Sequence, residues 1–257
     1  MRNIYLIVAS ILFIIFEIVT ARSASEWGAG ELAESQRNAT RVINARRNCA
    51  NTIDSLFASV NIEYPARIFL RIFKYDRKIE MWAYSNPDTK YVFLKSYKFT
   101  AFSGNPGPKR REGDWQIPEG FYIVNDFNPV SNFHLSLKIN YPNQSDRILG
   151  DSQKPGGEIR IHGSNVTIGC IPIGDEAIEE LYVIALDSRD VGFDINVHIF
   201  PYNFVDSLSA NSVKSYAKSD SSLSAFWTNL REGYDYFEKL SRLPKITVDA
   251  NGKYIFE

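Results

Sequence analysis

The chain has 257 residues, of which 44% are hydrophobic, 23% charged and 14% aromatic. That is enough for a sizeable core and too apolar for a disordered protein. A formal net charge of −1 excludes a basic field that would draw the protein to nucleic acid, and two cysteines exclude a disulfide scaffold or a four-cysteine zinc site.

Residues 1–21 read as an export signal. Met1-Arg2-Asn3 is a short basic start, Ile4 to Phe16 is almost unbroken apolar, and Val19-Thr20-Ala21 offers small residues at the spacing of a signal-peptidase site. An uncleaved anchor is the alternative, and both place the rest of the chain outside the cytoplasm. Residues 22–60 form an N-terminal segment, helical or irregular, that carries Cys49.

The rest reads mostly as strands. Ile68–Phe73 and Ile79–Trp82 are β-rich runs joined by Tyr75–Lys78, which predicts a hairpin. Tyr91–Phe99 is a third strand. Gly104–Asp114 is a loop by its Gly and Pro content, with Lys109, Arg110 and Arg111 expected in water and Trp115 expected to pack. Gly120–Val124 is another strand. Phe133, Leu135, Leu137 and Ile139 alternate with His134, Ser136, Lys138 and Asn140, and Ile159 and Ile161 alternate with Glu158, Arg160 and His162.

Asp175 is the expected N-cap of a helix whose Ile178, Leu181, Tyr182 and Ala185 make one apolar face. Phe193 to Ile199 alternates again. Residues 205–224 are a Ser-rich surface connection. A helix is expected from about Ala225 to Arg242, with Trp227, Leu230, Tyr234 and Phe237 on one face and Pro244 beyond its end. Ile246–Val248 and Tyr254–Phe256 flank a turn signal and close the chain as a hairpin.

One segment carries chemistry, from Ile161-His162-Gly163 to Thr167-Ile168-Gly169-Cys170. A thiolate is a strong nucleophile, and a nearby imidazole can take its proton. Glycine beside the cysteine lets backbone approach a carbonyl carbon, and the N–H groups of Gly169 and Cys170 are candidate oxyanion donors. His162 points away from the Ile159/Ile161 face and is expected on a polar one, as are His134 and His198. The competing reading is a Cys49–Cys170 disulfide in an oxidising compartment, which counting alone leaves open. Arg147 and Arg160 present paired donors for a substrate carboxylate, although surface ion pairing is the simpler role.

The His162-Gly163 and Thr167-Ile168-Gly169-Cys170 segments resemble the active-site motif of the L,D-transpeptidase catalytic domain, the YkuD family, and most resemble its YafK-type murein branch. Phe69–Lys74, Phe102–Lys109, Glu112–Asp114, Pro118–Tyr122, Ser131–Ser136, Asp175–Tyr182 and Asn229–Tyr234 agree with that branch in the same order. The resemblance covers roughly residues 60–257. It implies a mainly β domain with flanking helices (α+β) of the L,D-transpeptidase β-sandwich type, over 61–204, with residues 205–257 as a C-terminal extension.

It also implies Cys170 as nucleophile, His162 as base, no cofactor and no metal. The substrate would be a peptidoglycan stem peptide, attacked at meso-diaminopimelate in the periplasm through a thioester. Water resolves the thioester in hydrolysis or lipoprotein release, the favoured outcome, and an amine resolves it in cross-linking. Murein-linked lipoprotein is the implied protein partner, and Gly163, Thr167, His134, Arg160 and Arg147 are substrate-side candidates. Ile168 stands where the wider family has histidine, Pro172 where many members have Arg or Asn, and Asn165 where the branch has a second cysteine. A murein-binding module without turnover and a disulfide-closed structural domain are the alternatives.

Overall fold

The computed structural model describes residues 34, 36–84, 90–205, 211, 213 and 215–257. The expected export signal lies outside them. Among the described residues no helix is long and apolar enough to cross a membrane.

The first hairpin forms as the pattern predicts. Strand β1 (Arg67–Phe73) pairs antiparallel with β2 (Lys78–Tyr84), from Arg67 opposite Tyr84 to Phe73 opposite Lys78. β3 (Tyr91–Lys98) joins the outer edge of β2. Ile68, Leu70 and Ile72 enter the main core, and Phe69 and Phe73 enter apolar clusters on the other face. A strand covered on both sides reads as a near-continuous apolar run, as β1 does.

β4 (Gly120–Asn128), β5 (Ser136–Ile139), β6 (Arg160–His162), β7 (Ile171–Pro172) and β8 (Asn196–Phe200) complete a sheet of order β3-β2-β1-β8-β4-β5-β6-β7. A register shift between Val124 and Asp126 bends β4, because an extra residue in one strand sharpens its twist. The Thr100 N–H, just beyond β3, donates to the Pro172 carbonyl of β7 at 2.9 Å, so the two ends of the sheet approach each other as a half-barrel. The mainly β reading with flanking helices therefore holds.

Helices α1 (Thr40–Ser59) and α3 (Asp175–Asp190) cover one face, where Val42, Ile53 and Phe57 meet Ile178, Leu181 and Leu137 in the main core. The short α2 (Gln144–Leu149) is closed by a reciprocal cap between Asn143 and Asp146. On the opposite face α4 (Ser221–Leu240) lays Trp227, Leu230 and Tyr234 on Phe73, Phe121 and Phe200. The β9 (Ile246–Val248) and β10 (Tyr254–Phe256) hairpin closes beside it, as its turn signal predicts, held by Asn229, which bonds both the N–H and the carbonyl of Tyr254 at 2.8 Å.

Several local expectations are corrected. α4 begins at Ser221, four residues before Ala225, because Asp220 caps it by accepting the N–H groups of Ser222 and Leu223. Gly174, not Asp175, is the cap position of α3, and Asp175 Oδ1 instead accepts the Ser164 N–H at 2.7 Å. The strand expected from Phe133 starts only at Ser136, since His134 takes a φ of 71° in the preceding turn. The basic loop is not simply solvated: Lys109 is buried, donating to Asp114 Oδ1 at 2.6 Å and to the Arg111 carbonyl at 2.7 Å. Trp115, expected to pack, is 60% exposed.

Candidate active site

The apolar cluster under α4 draws its residues of the large sheet from β1, β4 and β8. Beyond it the same sheet face continues over β5, β6 and β7. Leu137, Ile139, Ile161 and Ile171 turn into the main core, so by alternation Ser136, Lys138, Arg160 and His162 turn to the opposite face. Cys170, one residue before β7, shares that face with them.

The register brings the two candidate reactive groups together. Ile161 pairs with Ile171 and His162 with Pro172, in parallel. Cys170 is thus one strand across from His162 and two residues back. Standard strand dimensions put their Cα atoms about 8 Å apart with side chains on one face. The half-buried Cys170 thiol donates to the Glu158 carbonyl at 3.5 Å and not to the imidazole.

His162 differs from expectation. It lies off the Ile161 face as predicted, yet it is only 1% exposed, because Phe133 lies over its ring with centroids 4.7 Å apart. Its Nδ1 is 2.6 Å from the Gly163 carbonyl oxygen. A carbonyl only accepts, so Nδ1 carries the proton and Nε2 is the basic nitrogen of the neutral ring. Burial pushes the His162 pKa below its ordinary 6.5, against the pull of the Gly163 carbonyl. Burial likewise pushes the Cys170 thiol above its ordinary 9.0, while the Arg160 backbone amide and guanidinium pull it down. Both shifts favour the neutral forms, thiol and imidazole.

The turn before Cys170 is tied by Thr167. Its hydroxyl donates to the Cys170 carbonyl at 2.7 Å and accepts the Gly169 N–H at 3.1 Å. The Gly169 N–H, expected to face an oxyanion, is thus engaged by Thr167. Gly169 sits at φ 132° with the Gln116 carbonyl 3.0 Å from where a Cβ would stand, so both conformation and space require glycine. Gly163 is equally confined, with Phe133's carbonyl 2.8 Å from its would-be Cβ.

The remaining predicted residues separate. Arg160 stays beside the thiol, bonded to Asp126 Oδ2 at 2.9 Å, Glu158 Oε2 at 3.1 Å and Ser136 Oγ at 3.3 Å. His134 turns its Nε2 to Glu179 of α3 at 2.8 Å. Arg147 is exposed on α2. His198, expected on a polar face, is buried between Phe69 and Phe121. Cys49 and Cys170 are both free thiols, so the disulfide reading is not supported: Cys49 faces Lys95 and Glu179 between α1, β3 and α3. Among the described residues no group of three metal-ligating side chains comes together. Sequence reasoning missed Phe133, Glu158 and Gln116 as neighbours of the site. No motif signals them, because their positions depend on tertiary contacts.

Comparison with known proteins places the chain in a family. Residues 76–197 match the family model of YkuD, the L,D-transpeptidase catalytic domain. An Escherichia coli (strain K12) protein named "Putative L,D-transpeptidase YafK" is 34% identical over 191 residues, 73% of each chain. The chain belongs to the L,D-transpeptidase catalytic-domain family. Among solved structures, the helical cell shape determining protein Pgp2 from Campylobacter jejuni is 17% identical with a TM-score of 0.44, covering 76% of this chain and 80% of that one. Bd1075 of Bdellovibrio bacteriovorus is 22% identical with a TM-score of 0.39, covering 66% and 60%. Membership of the L,D-transpeptidase family rests on the sequence matches. It makes the function peptidoglycan-related and implies a location in the cell envelope.

Proposed function

We propose that this protein is an exported, periplasmic cysteine acyl-transfer enzyme that acts on peptidoglycan stem peptides at the L-centre carbonyl of meso-diaminopimelate. The observation that carries the reading is the His162 Nδ1–Gly163 carbonyl hydrogen bond, which leaves Nε2 basic on the sheet face that holds Cys170. Nε2 takes the thiol proton as Sγ attacks the carbonyl carbon. The Cys170 N–H faces the developing oxyanion, since Thr167 holds that of Gly169. The C–N bond then breaks, the departing amine takes the proton from His162, and a thioester remains on Cys170. Water, deprotonated by His162, attacks the thioester, the C–S bond breaks and the thiol regains its proton. Hydrolysis, including release of a murein-linked lipoprotein, is preferred on branch resemblance, and an amine in place of water gives a cross-link. Arg160 is the candidate for a stem-peptide carboxylate because it stands beside the thiol. His134 and Arg147 are set aside, since one is turned to Glu179 and the other lies out on α2.

The test treats purified sacculi with the mature protein and with its Cys170→Ala variant, then reads muropeptides by mass spectrometry. Loss of peptide or lipoprotein from the stem, absent with the variant, supports a cysteine hydrolase. New cross-links absent with the variant identify a transpeptidase. Identical muropeptides with both proteins refute the reading.

A further inference from the structure

A cavity opens on the same sheet face as Cys170, where α4 and the closing hairpin stop covering it. Its volume is about 290 Å³, near the lower end of the range for small-molecule sites, ~300–1,000 Å³. It lies between β4, β8, the start of α2 and β9, with Ile246 and Val248 as one wall. Ile123 of β4 pairs with Asn196 of β8 at its floor. Tyr122, Val124 and Val197 point into the main core, so Ile123, Asn196 and His198 face the side that carries Arg160 and His162.

The chemistry of the lining is specific. Four carboxamides, Asn140, Asn143, Gln144 and Asn196, converge on it, together with His198 and Tyr254, and it has no Asp, Glu, Lys or Arg. Asn140 Oδ1 accepts the Ile123 N–H at 2.9 Å and Asn143 Nδ2 donates to Tyr254 Oη at 2.9 Å, so these two amides are held in place. Among the described residues no hydrogen bond forms at the side chains of Gln144 and Asn196. His198 is 2% exposed, and its Nδ1 has no hydrogen-bond partner among the described residues. Burial and the nearby Arg71 push its pKa down to about 3, which keeps the ring neutral. A charged ligand would find no counter-ion here and would lose its hydration uncompensated. A neutral ligand with several hydroxyl or amide groups matches the carboxamides, and the aromatic edge of Phe121 and Tyr254 suits its apolar face.

We propose that this cavity is a saccharide subsite that holds a neutral N-acetylhexosamine ring of the glycan strand while the attached peptide reaches Cys170. The proposal rests on the peptidoglycan reading above and adds the part of the substrate that the nucleophile does not touch. The spacing fits. Three strand steps at ~4.8 Å each lead from Cys170 through Arg160 and Lys138 to Asp126, and Ile123 stands three residues, ~10 Å, further along β4, which sets the cavity about 17 Å from the thiol. Three extended residues between sugar and scissile carbonyl span about 10 Å, and the lactyl ether together with the sugar ring supplies the remainder. Between the two points lie Arg160, Lys138 and Asp126, a polar strip along which a stem peptide carrying carboxylates can run.

The experiment has two arms with the full mature chain. In the first, kcat/KM is measured for a stem peptide with and without its disaccharide, using the wild type and the separate variants Asn196→Ala and Gln144→Ala. The wild type should favour the sugar-bearing substrate about 10-fold, equivalent to ~1.4 kcal/mol, chiefly through KM, and each variant should bring that ratio toward one. Equal turnover of both substrates by the wild type overturns the subsite and leaves the catalytic reading standing. No turnover of either refutes the catalytic reading instead. The second arm then decides the subsite without turnover: chitotetraose, a neutral N-acetylglucosamine oligomer, is titrated into the Cys170→Ala protein and followed by amide NMR shifts. Saturable shifts at Ile123, Asn196 and Val248, lost with Asn196→Ala, support the proposal. Absence of shifts at millimolar sugar, or shifts that survive both substitutions, overturns it.

Discussion

The Nδ1 of His162 lies 2.6 Å from the carbonyl oxygen of Gly163, the next residue in the chain. A backbone carbonyl carries no charge to lose and cannot titrate, so it fixes the tautomer at every working pH. Its position depends on Gly163 having no side chain, because a Cβ there would meet Asp175 Oδ1, the Phe133 carbonyl and His134 Cβ. Replacement of His162 by alanine should lower kcat/KM by about 10²–10⁴-fold, and Cys170→Ala should abolish turnover. Gly163→Ala should also lose most activity, because it displaces the acceptor that orients the base. Steady-state kinetics on a stem peptide check all three, and a Gly163→Ala protein with wild-type kinetics would refute the orienting role.

The same burial sets the pH response. The His162 pKa is lowered from 6.5 and that of Cys170 is raised from 9.0. Protonation of the imidazole removes the base, so activity should fall as pH drops through the folded His162 value, and that acid limb should lie below 6.5. Iodoacetamide reacts with the thiolate, so its rate on Cys170 should climb with pH with a midpoint above 9.0. Both profiles come from one set of buffers. Rapid, pH-independent alkylation around neutrality would show a preformed ion pair and contradict the neutral resting state.

Thr167 joins the two sides of the nucleophile turn through one oxygen, which donates to the Cys170 carbonyl and accepts the Gly169 N–H. Valine has nearly the same shape and lacks both bonds. Thr167→Val should therefore lower kcat by up to about 30-fold, since two hydrogen bonds of about 1 kcal/mol each position the thiol. Thr167→Ser should restore most of it, because serine keeps the oxygen. Release of the Gly169 N–H in Thr167→Val works in the opposite sense, by adding an oxyanion donor. A variant faster than wild type would mean that this release dominates.

Much of the architecture was legible because period-two alternation and helical spacing report burial on one face. β5 and β8 form within runs that alternate and the α3 face of Ile178, Leu181, Tyr182 and Ala185 follows helical spacing, while β1 and β2 were legible as β-rich apolar runs and the closing hairpin from its turn signal. The motif pointed to Cys170 and His162, and the parallel register of β6 and β7 puts them on one face. Alternation fails where both faces are covered or neither is. His198 alternates as a polar-face residue yet lies under Phe69 and Phe121, because α4 and the hairpin cover that side as well. Trp115 reads as a packing residue by type and stands 60% exposed. Lys109 reads as a surface charge, and only the fold brings Asp114 and the Arg111 carbonyl around it.

Lys74 is a further residue that composition misplaces. Its side chain is fully buried against Glu119 Oε1 at 3.3 Å, with Glu119 Oε2 accepting Trp227 Nε1 at 2.7 Å. The ammonium also donates to the Gly107 carbonyl at 2.5 Å and to Gln116 Oε1 at 3.3 Å, so it ties down the loop whose Gln116 carbonyl backs Gly169. Burial lowers the Lys74 pKa and the Glu119 carboxylate opposes that. Lys74→Met leaves a buried carboxylate without its cation and should cost about 3–5 kcal/mol in denaturant unfolding. Adding Glu119→Gln removes the stranded charge and keeps an acceptor for Trp227, so the double variant should regain about 2 kcal/mol. Its activity should stay low, because methionine cannot hold the Gly107 and Gln116 oxygens. If kcat/KM recovers together with stability, the ammonium serves the core alone and the link from Lys74 through the loop to Gly169 is wrong.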